Sequence, residues 1–160
     1  MLSLSGAGTI HTVLAALAIA VGIVQFLRRK GDRAHRALGY LYVYGLLVAD
    51  GAAMLVYQFT GKLNILHFGA VTNLICIGLG MFAVLARPPN TDWRSMHYHW
   101  ISWSYVGLLA AAATELVVRS VPFASQTQIW SATAAVTIGV TVAGFVLIRR
   151  NQPVPNPIVV

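Results

Sequence analysis

Charge is scarce in this chain. Only 9% of its 160 residues are Asp, Glu, Lys or Arg, against 58% hydrophobic, and the acids number four. A water-soluble domain of this length carries far more polar side chain, so the composition excludes one and places the chain in a bilayer. Cysteine is limited to Cys76, inside an apolar run. It can form no internal disulfide and belongs to no Cys-rich metal signature, which leaves packing as its role. No Lys or Arg precedes the first apolar run, whose basic cluster Arg28-Arg29-Lys30 comes after it; a cleaved signal peptide is therefore not expected. The net charge of +7 sits in short clusters at the ends of apolar runs, not along one face, which excludes nucleic acid as a partner.

What is present is apolar length. Five runs, 9–27, 38–60, 65–85, 100–118 and 129–148, each approach the roughly 20 residues that cross about 30 Å of hydrocarbon as a helix. Strand alternation is missing, and backbone groups in lipid must bond internally, so all five are expected to be helical. The predicted fold is an all-α polytopic membrane protein of five transmembrane helices. Two tandem helical hairpins make a four-helix bundle, with a peripheral fifth helix. Residues 1–150 form one transmembrane domain, with repeat units at about 9–60 and 65–119 and a fifth helix at 129–148. Residues 151–160 form a proline-rich tail, extended because proline recurs at alternate positions.

Arg28, Arg29, Lys30, Arg33 and Arg36 follow the first run, Arg87 and Arg94 the third, and Arg149 and Arg150 the fifth. Lys62 and Arg119 alone occupy the other side. The positive-inside bias then puts the N-terminus outside and the C-terminus and its tail in the cytoplasm, across the plasma membrane. Trp93, Tyr98, Trp100 and Trp103 at the inner boundary and Trp130 at the outer one suit aromatic belts. Gly31 is expected as the residue just past the first helix, Asp32 as the N-cap of the second, and Gly61-Lys62-Leu63-Asn64 as another short turn. Pro88-Pro89 ends the third helix before Asn90-Thr91-Asp92 starts the fourth.

The chain repeats itself. Ile10-His11 aligns with Leu66-His67, each basic stop with the other, Asp32 with Asp92, and His35 with His97. Tandem repeats of parallel topology are related by an axis along the membrane normal. His11 and His67 are thus expected at one depth and His35 and His97 at another, roughly 20 Å away at 1.5 Å rise per residue. Gly22 and Gly78 both fall eleven residues after their histidine, on nearly the same face, where a missing side chain leaves room for something flat or for close helix contact.

Two acids lie within the runs. Asp50 and Glu115 are expected to look inward, since an unpaired intramembrane carboxylate is costly. The plainer reading of Glu115 is an ion pair with Arg119 one turn on; Asp50 has no such local partner. His99 is turned well away from the face of His97. Gln25 and Phe26 stand close enough in sequence to the turn to bond to or pack on the inner histidines.

These motifs resemble the bacterial multi-pass membrane family known as domain of unknown function 2306. The resemblance spans about residues 9–119. It rests on His11, Gln25-Phe26, the turn His35-Arg36-Ala37-Leu38-Gly39, and His97-Tyr98-His99-Trp100 followed by Ser104-Tyr105. Tyr98 and Ile101 stand where the family pattern has arginine and methionine. The resemblance implies a membrane fold in the bacterial inner membrane and carries no activity with it.

Three functional readings remain open. In the first, His11 with His67 and His35 with His97 hold two b-type haems, Gly22 and Gly78 make room for them, and Arg33, Arg36 and Arg94 neutralise propionates. That protein would be an oxidoreductase carrying electrons to a membrane redox partner or quinone. In the second, His11, His67, Glu115 and Asp50 bind zinc in the outer half, for metal-dependent hydrolysis of an amphiphile. In the third, the chain is an accessory subunit whose polar residues serve helix contacts, as a homo-oligomer or in a larger membrane complex.

Overall fold

A computed structural model describes residues 6–55 and 65–153 of the chain. Among these residues every regular element is a helix: α1 (Gly6–Leu27), α2 (Arg33–Ala53), α3 (Ile65–Ala86), α4 (Trp93–Ser120) and α5 (Gln126–Arg150). The expected turn at residues 61–64 and the tail beyond Pro153 lie outside the described residues.

The helix starts are set by short polar side chains. Asp32 caps α2 through the His35 backbone N–H, and Asp92 caps α4 through that of Ser95. Ser125 caps α5 through the N–H of Gln128, whose own side chain reaches back to the N–H of Ala124. At the other ends, α3 stops where Arg87 turns left-handed, at φ 44°, ahead of Pro88 and Pro89. Gly31 does take a positive φ of 89°, but four residues past Leu27, so it shapes the turn and does not cap α1. The exposed carbonyls of α1 are met by Lys30, whose ammonium donates to those of Gln25 and Phe26.

Four helices are long and apolar enough to cross a membrane: α1, α3 from His67, α4 and α5. The described part of α2 has the length, at 21 residues, but Arg33, His35, Arg36, three tyrosines and Asp50 dilute its apolar character. Large apolar side chains cover the outside of the helices, among them Ile10, Val13 and Leu17 on α1 and Ile138, Val142 and Leu147 on α5. In water that surface would aggregate; in lipid it is the solvated face.

The residues cluster into two compact units, Met1–Leu74 and Ile75–Val160, with the division inside α3. In the first unit α1 packs on α2. Tyr42, Val43, Leu46, Ala49 and Asp50 form the buried stripe of α2, at the three- and four-residue spacing of one helix face. The buried face of α1 is small: Gly8, Ala18 and Gly22. In the second unit α4 packs on α5. Tyr98 donates its hydroxyl to the carbonyl of Ile148, and the hydroxyls of Thr114 and Thr137 meet at 3.4 Å. Most of α5 is exposed, as a peripheral helix should be, yet Gly144 lies so close to α4 that a Cβ there would run into the Val106 side chain.

Because Val106 is stiff at its branched Cβ, it has no flexible end to move aside. Gly144→Ala should therefore lower the melting temperature in detergent, at a cost of about 1–3 kcal/mol for overpacking. Gly139, with nothing within 4 Å of a new Cβ, is the control: Gly139→Ala should leave the melting temperature unchanged or slightly higher.

Candidate functional site

The histidines are held in one recurrent way. His11, in the second turn of α1, places Nδ1 2.9 Å from the carbonyl of Ala49 on α2. His97, near the start of α4, places Nδ1 2.9 Å from the carbonyl of Gly80 on α3. A carbonyl only accepts, so each ring donates from Nδ1, and in the neutral imidazole the lone pair is then on Nε2. Gly80 permits this approach: a Cβ on it would lie 2.8 Å from the side chain of Ile101, one turn past His97.

His35 reaches the same state by a longer route. The Gln25 side chain donates from Nε2 to the carbonyl of His35 at 2.8 Å, which fixes the amide's orientation and turns Oε1 toward the ring. Nδ1 of His35 lies 3.2 Å from that oxygen and must donate to it. Gly39 completes the unit, because a Cβ there would sit 3.3 Å from Gln25 Nε2. The glutamine, the histidine and the glycine of the turn motif are thus one contact between α1 and α2. Below it, Asp32 accepts from the His35 N–H at 2.6 Å and pairs with Arg28 at 3.3 Å. The His35 N–H first, and Arg28 second, hold the Asp32 carboxyl below the usual carboxylate range.

His67 is 3% exposed in the first turns of α3, on the buried stripe that continues through Ala70, Asn73 and Ile77. His99 serves its own segment. Its Nδ1 donates to the Ser95 carbonyl at 3.1 Å and its Nε2 accepts from Gln152 at 3.1 Å. Trp93 sits under two guanidinium groups, those of Arg87 and Arg94, each 5.2 Å from its ring centroid. Arg94 is thereby engaged locally.

The two acids separate. Asp50 is inward as expected, 7% exposed, and it has a partner that local sequence did not reveal: Asn73 of α3, whose Nδ2 donates to Asp50 Oδ2 at 2.8 Å. Glu115 is not inward. About a third of its side chain is exposed and it accepts from Arg119, so the plainer reading holds and the inward one is corrected. A partner of opposite charge one turn away satisfies the carboxylate at the helix surface, without burial. Among the described residues no group of three or more His, Cys, Asp and Glu side chains converges on a point that could hold a metal ion.

The matched glycines differ in surroundings. Gly22 is buried on α1, whereas Gly78 is exposed with nothing within 4 Å of a Cβ. The close approach on α3 is at Gly80. The space over Gly78 is open, and the close helix contact on α3 is two residues on, because the facing residue, Ile101, decides where a side chain must be missing. Asn73 was absent from the sequence reading altogether; a lone asparagine inside an apolar run was the available signal.

Two outcomes follow for the α1–α2 turn. Gln25→Leu removes both side-chain bonds to His35 and should cost about 1–3 kcal/mol of stability, read as a lower melting temperature. The lowered acidity range of Asp32 means its carboxylate supports the fold fully above the ordinary carboxylate range. That support is lost as pH falls through the lowered value. Asp32→Asn, which keeps an N-cap acceptor without the charge, should flatten the acid limb of a melting-temperature profile against pH.

No curated protein and no solved structure matches the chain. A family model described as predicted membrane protein, DUF2306, matches residues 8–149. The match begins beside the start of that resemblance, which carries His11 and the two histidine turns, and it runs on into α5, past residue 119, where the resemblance was expected to end. An all-helical chain with several membrane-crossing helices, carrying those turns and matched over most of its length, belongs to the DUF2306 family of membrane proteins.

Proposed function

We propose that the chain is a membrane-embedded electron carrier binding b-type haem through paired histidines, His11 with His67 and His35 with His97. The observation that carries this is the shared state of three of the four. His11, His35 and His97 each commit Nδ1–H to an oxygen on another helix. Such second-shell bonds orient an axial imidazole, fix its tautomer and raise the basicity of Nε2 toward iron. A haem iron asks for two such nitrogens, which a pair of helices supplies, and when bound it supplies one-electron chemistry. The pairing of His35 with His97 rests on the repeat in the sequence, and so does that of His11 with His67.

Zinc at His11, His67, Asp50 and Glu115 has less behind it. Glu115 is engaged by Arg119, Asp50 by Asn73, and no three-ligand group forms among the described residues. In the reading favoured here, the arginine clusters face the cytoplasm and the N-terminus lies outside the plasma membrane. A quinone or membrane redox protein exchanges electrons with the carrier, alone or within an oligomer.

The test is the visible spectrum of protein purified in mild detergent from cells supplied with a haem precursor. A Soret band with α bands that sharpen on reduction is expected. His11→Ala and His67→Ala should each remove the same component, and His35→Ala and His97→Ala the other. A colourless preparation overturns the haem reading; stoichiometric zinc in it would favour the hydrolase, and neither cofactor the accessory subunit.

A further inference from the structure

The contact between Asp50 and Asn73 contains a contradiction that one proton removes. Asp50 is 7% exposed and Asn73 8%, both in the first unit, Asn73 within the membrane-crossing part of α3 and Asp50 bonded to it from α2. Asn73 Nδ2 donates to Asp50 Oδ2 at 2.8 Å, while Asn73 Oδ1 is buried with no hydrogen-bond partner among the described residues. An ionised Asp50 would be an apolar-buried charge held by a single neutral donor, beside an amide oxygen left empty. Both faults are of the same kind. The site has acceptors in excess and lacks a hydrogen.

Turning the amide over leads to the same place. With Oδ1 exchanged for Nδ2, two acceptors would face each other at 2.8 Å, and only a hydrogen between them makes that contact favourable. The other groups near the site do not provide it. His11, on α1, has its Nδ1 committed to the carbonyl of Ala49, the residue before Asp50. On α3 the titratable groups of the buried stripe are His67 and Cys76, and on α2 it is Tyr42, two turns from Asp50. Among the described residues, no arginine or lysine stands on these faces. A metal cation would need several oxygen ligands, and the contact offers one carboxyl and one amide.

We propose that Asp50 and Asn73 form a proton-binding site inside the membrane. Asp50 is a carboxylic acid whose O–H is donated to the amide oxygen of Asn73, while the amide N–H is donated back to the second carboxyl oxygen. Binding forms the Asp50 O–H bond and neutralises the carboxylate; release returns the proton and restores the charge, with no electron moved. The site does not depend on any haem.

Infrared difference spectroscopy on the full chain in phosphatidylcholine nanodiscs tests it, comparing preparations at neutral and alkaline pH. A carboxylic-acid C=O band is expected at neutral pH, lost in Asp50→Asn and moved to higher frequency in Asn73→Leu, which removes the hydrogen-bonding amide. Aspartate labelled with carbon-13 at its carboxyl should shift the band even if Asp50→Asn fails to fold. A spectrum with carboxylate bands only at neutral pH overturns the proposal. So does an acid band indifferent to Asn73→Leu, or one that appears only when sodium is withdrawn, which would mark a cation site. None of these readouts requires the protein to be coloured, so they stand or fall apart from the haem reading.

Discussion

Hydrocarbon offers no hydrogen-bond partner, and each polar side chain placed in it must find one on the protein. The main chain is the nearest supply. A helical carbonyl accepts one N–H from its own helix and keeps a second lone pair, which a neighbour can use without breaking the helix. His11 uses that of Ala49, His97 that of Gly80, and Tyr98 that of Ile148. Thr12 and Thr72 do the same within their own helices, four residues back. The polar residues are therefore ties between helices as well as candidate ligands, and their orientation is a by-product of the tie.

Such ties need close backbones, and close backbones need small residues. Lipid tails are as apolar as leucine, so the hydrophobic effect does little to press helices together once they are inserted. Contact comes from shape. At Gly80 the two requirements coincide: its missing side chain admits Ile101, and the same approach carries the His97 ring, one turn earlier, to the Gly80 carbonyl. At Gly144 the fit to Val106 is tighter still, and Tyr98 reaches the Ile148 carbonyl one turn beyond.

The helices were legible because hydropathy and capping are local. Asp32 and Asp92 accept the N–H bonds that their position before an apolar run implied, and the glutamine beside the first basic stop does meet the histidine of the turn. Rotation about the helix axis was not legible to the same degree. Counting eleven residues from a histidine marked Gly78, over which the space is open, while the close contact two residues on, at Gly80, is set by a side chain on α4. Glu115 could have gone either way on sequence spacing; Arg119 decided it. Asn73 bonds to a residue 23 positions earlier, and no periodicity within one helix encodes such a partner.

The repeat clarifies which features belong to topology and which to chemistry. His35 and His97 both begin a helix after an Asp cap, and both bond to the helix before their own. The partner differs: a glutamine side chain two residues from the end of α1 in one, a main-chain carbonyl six residues from the end of α3 in the other. Similar positions reached through different partners nevertheless leave the same nitrogen, Nδ1, as the donor. Nδ1 is the ring nitrogen nearer the main chain, and His99, tied within its own helix, also donates from it to a carbonyl. Agreement on Nδ1 keeps the more outward-reaching Nε2 as the basic atom in each case, which is the state that the proposed axial ligation requires.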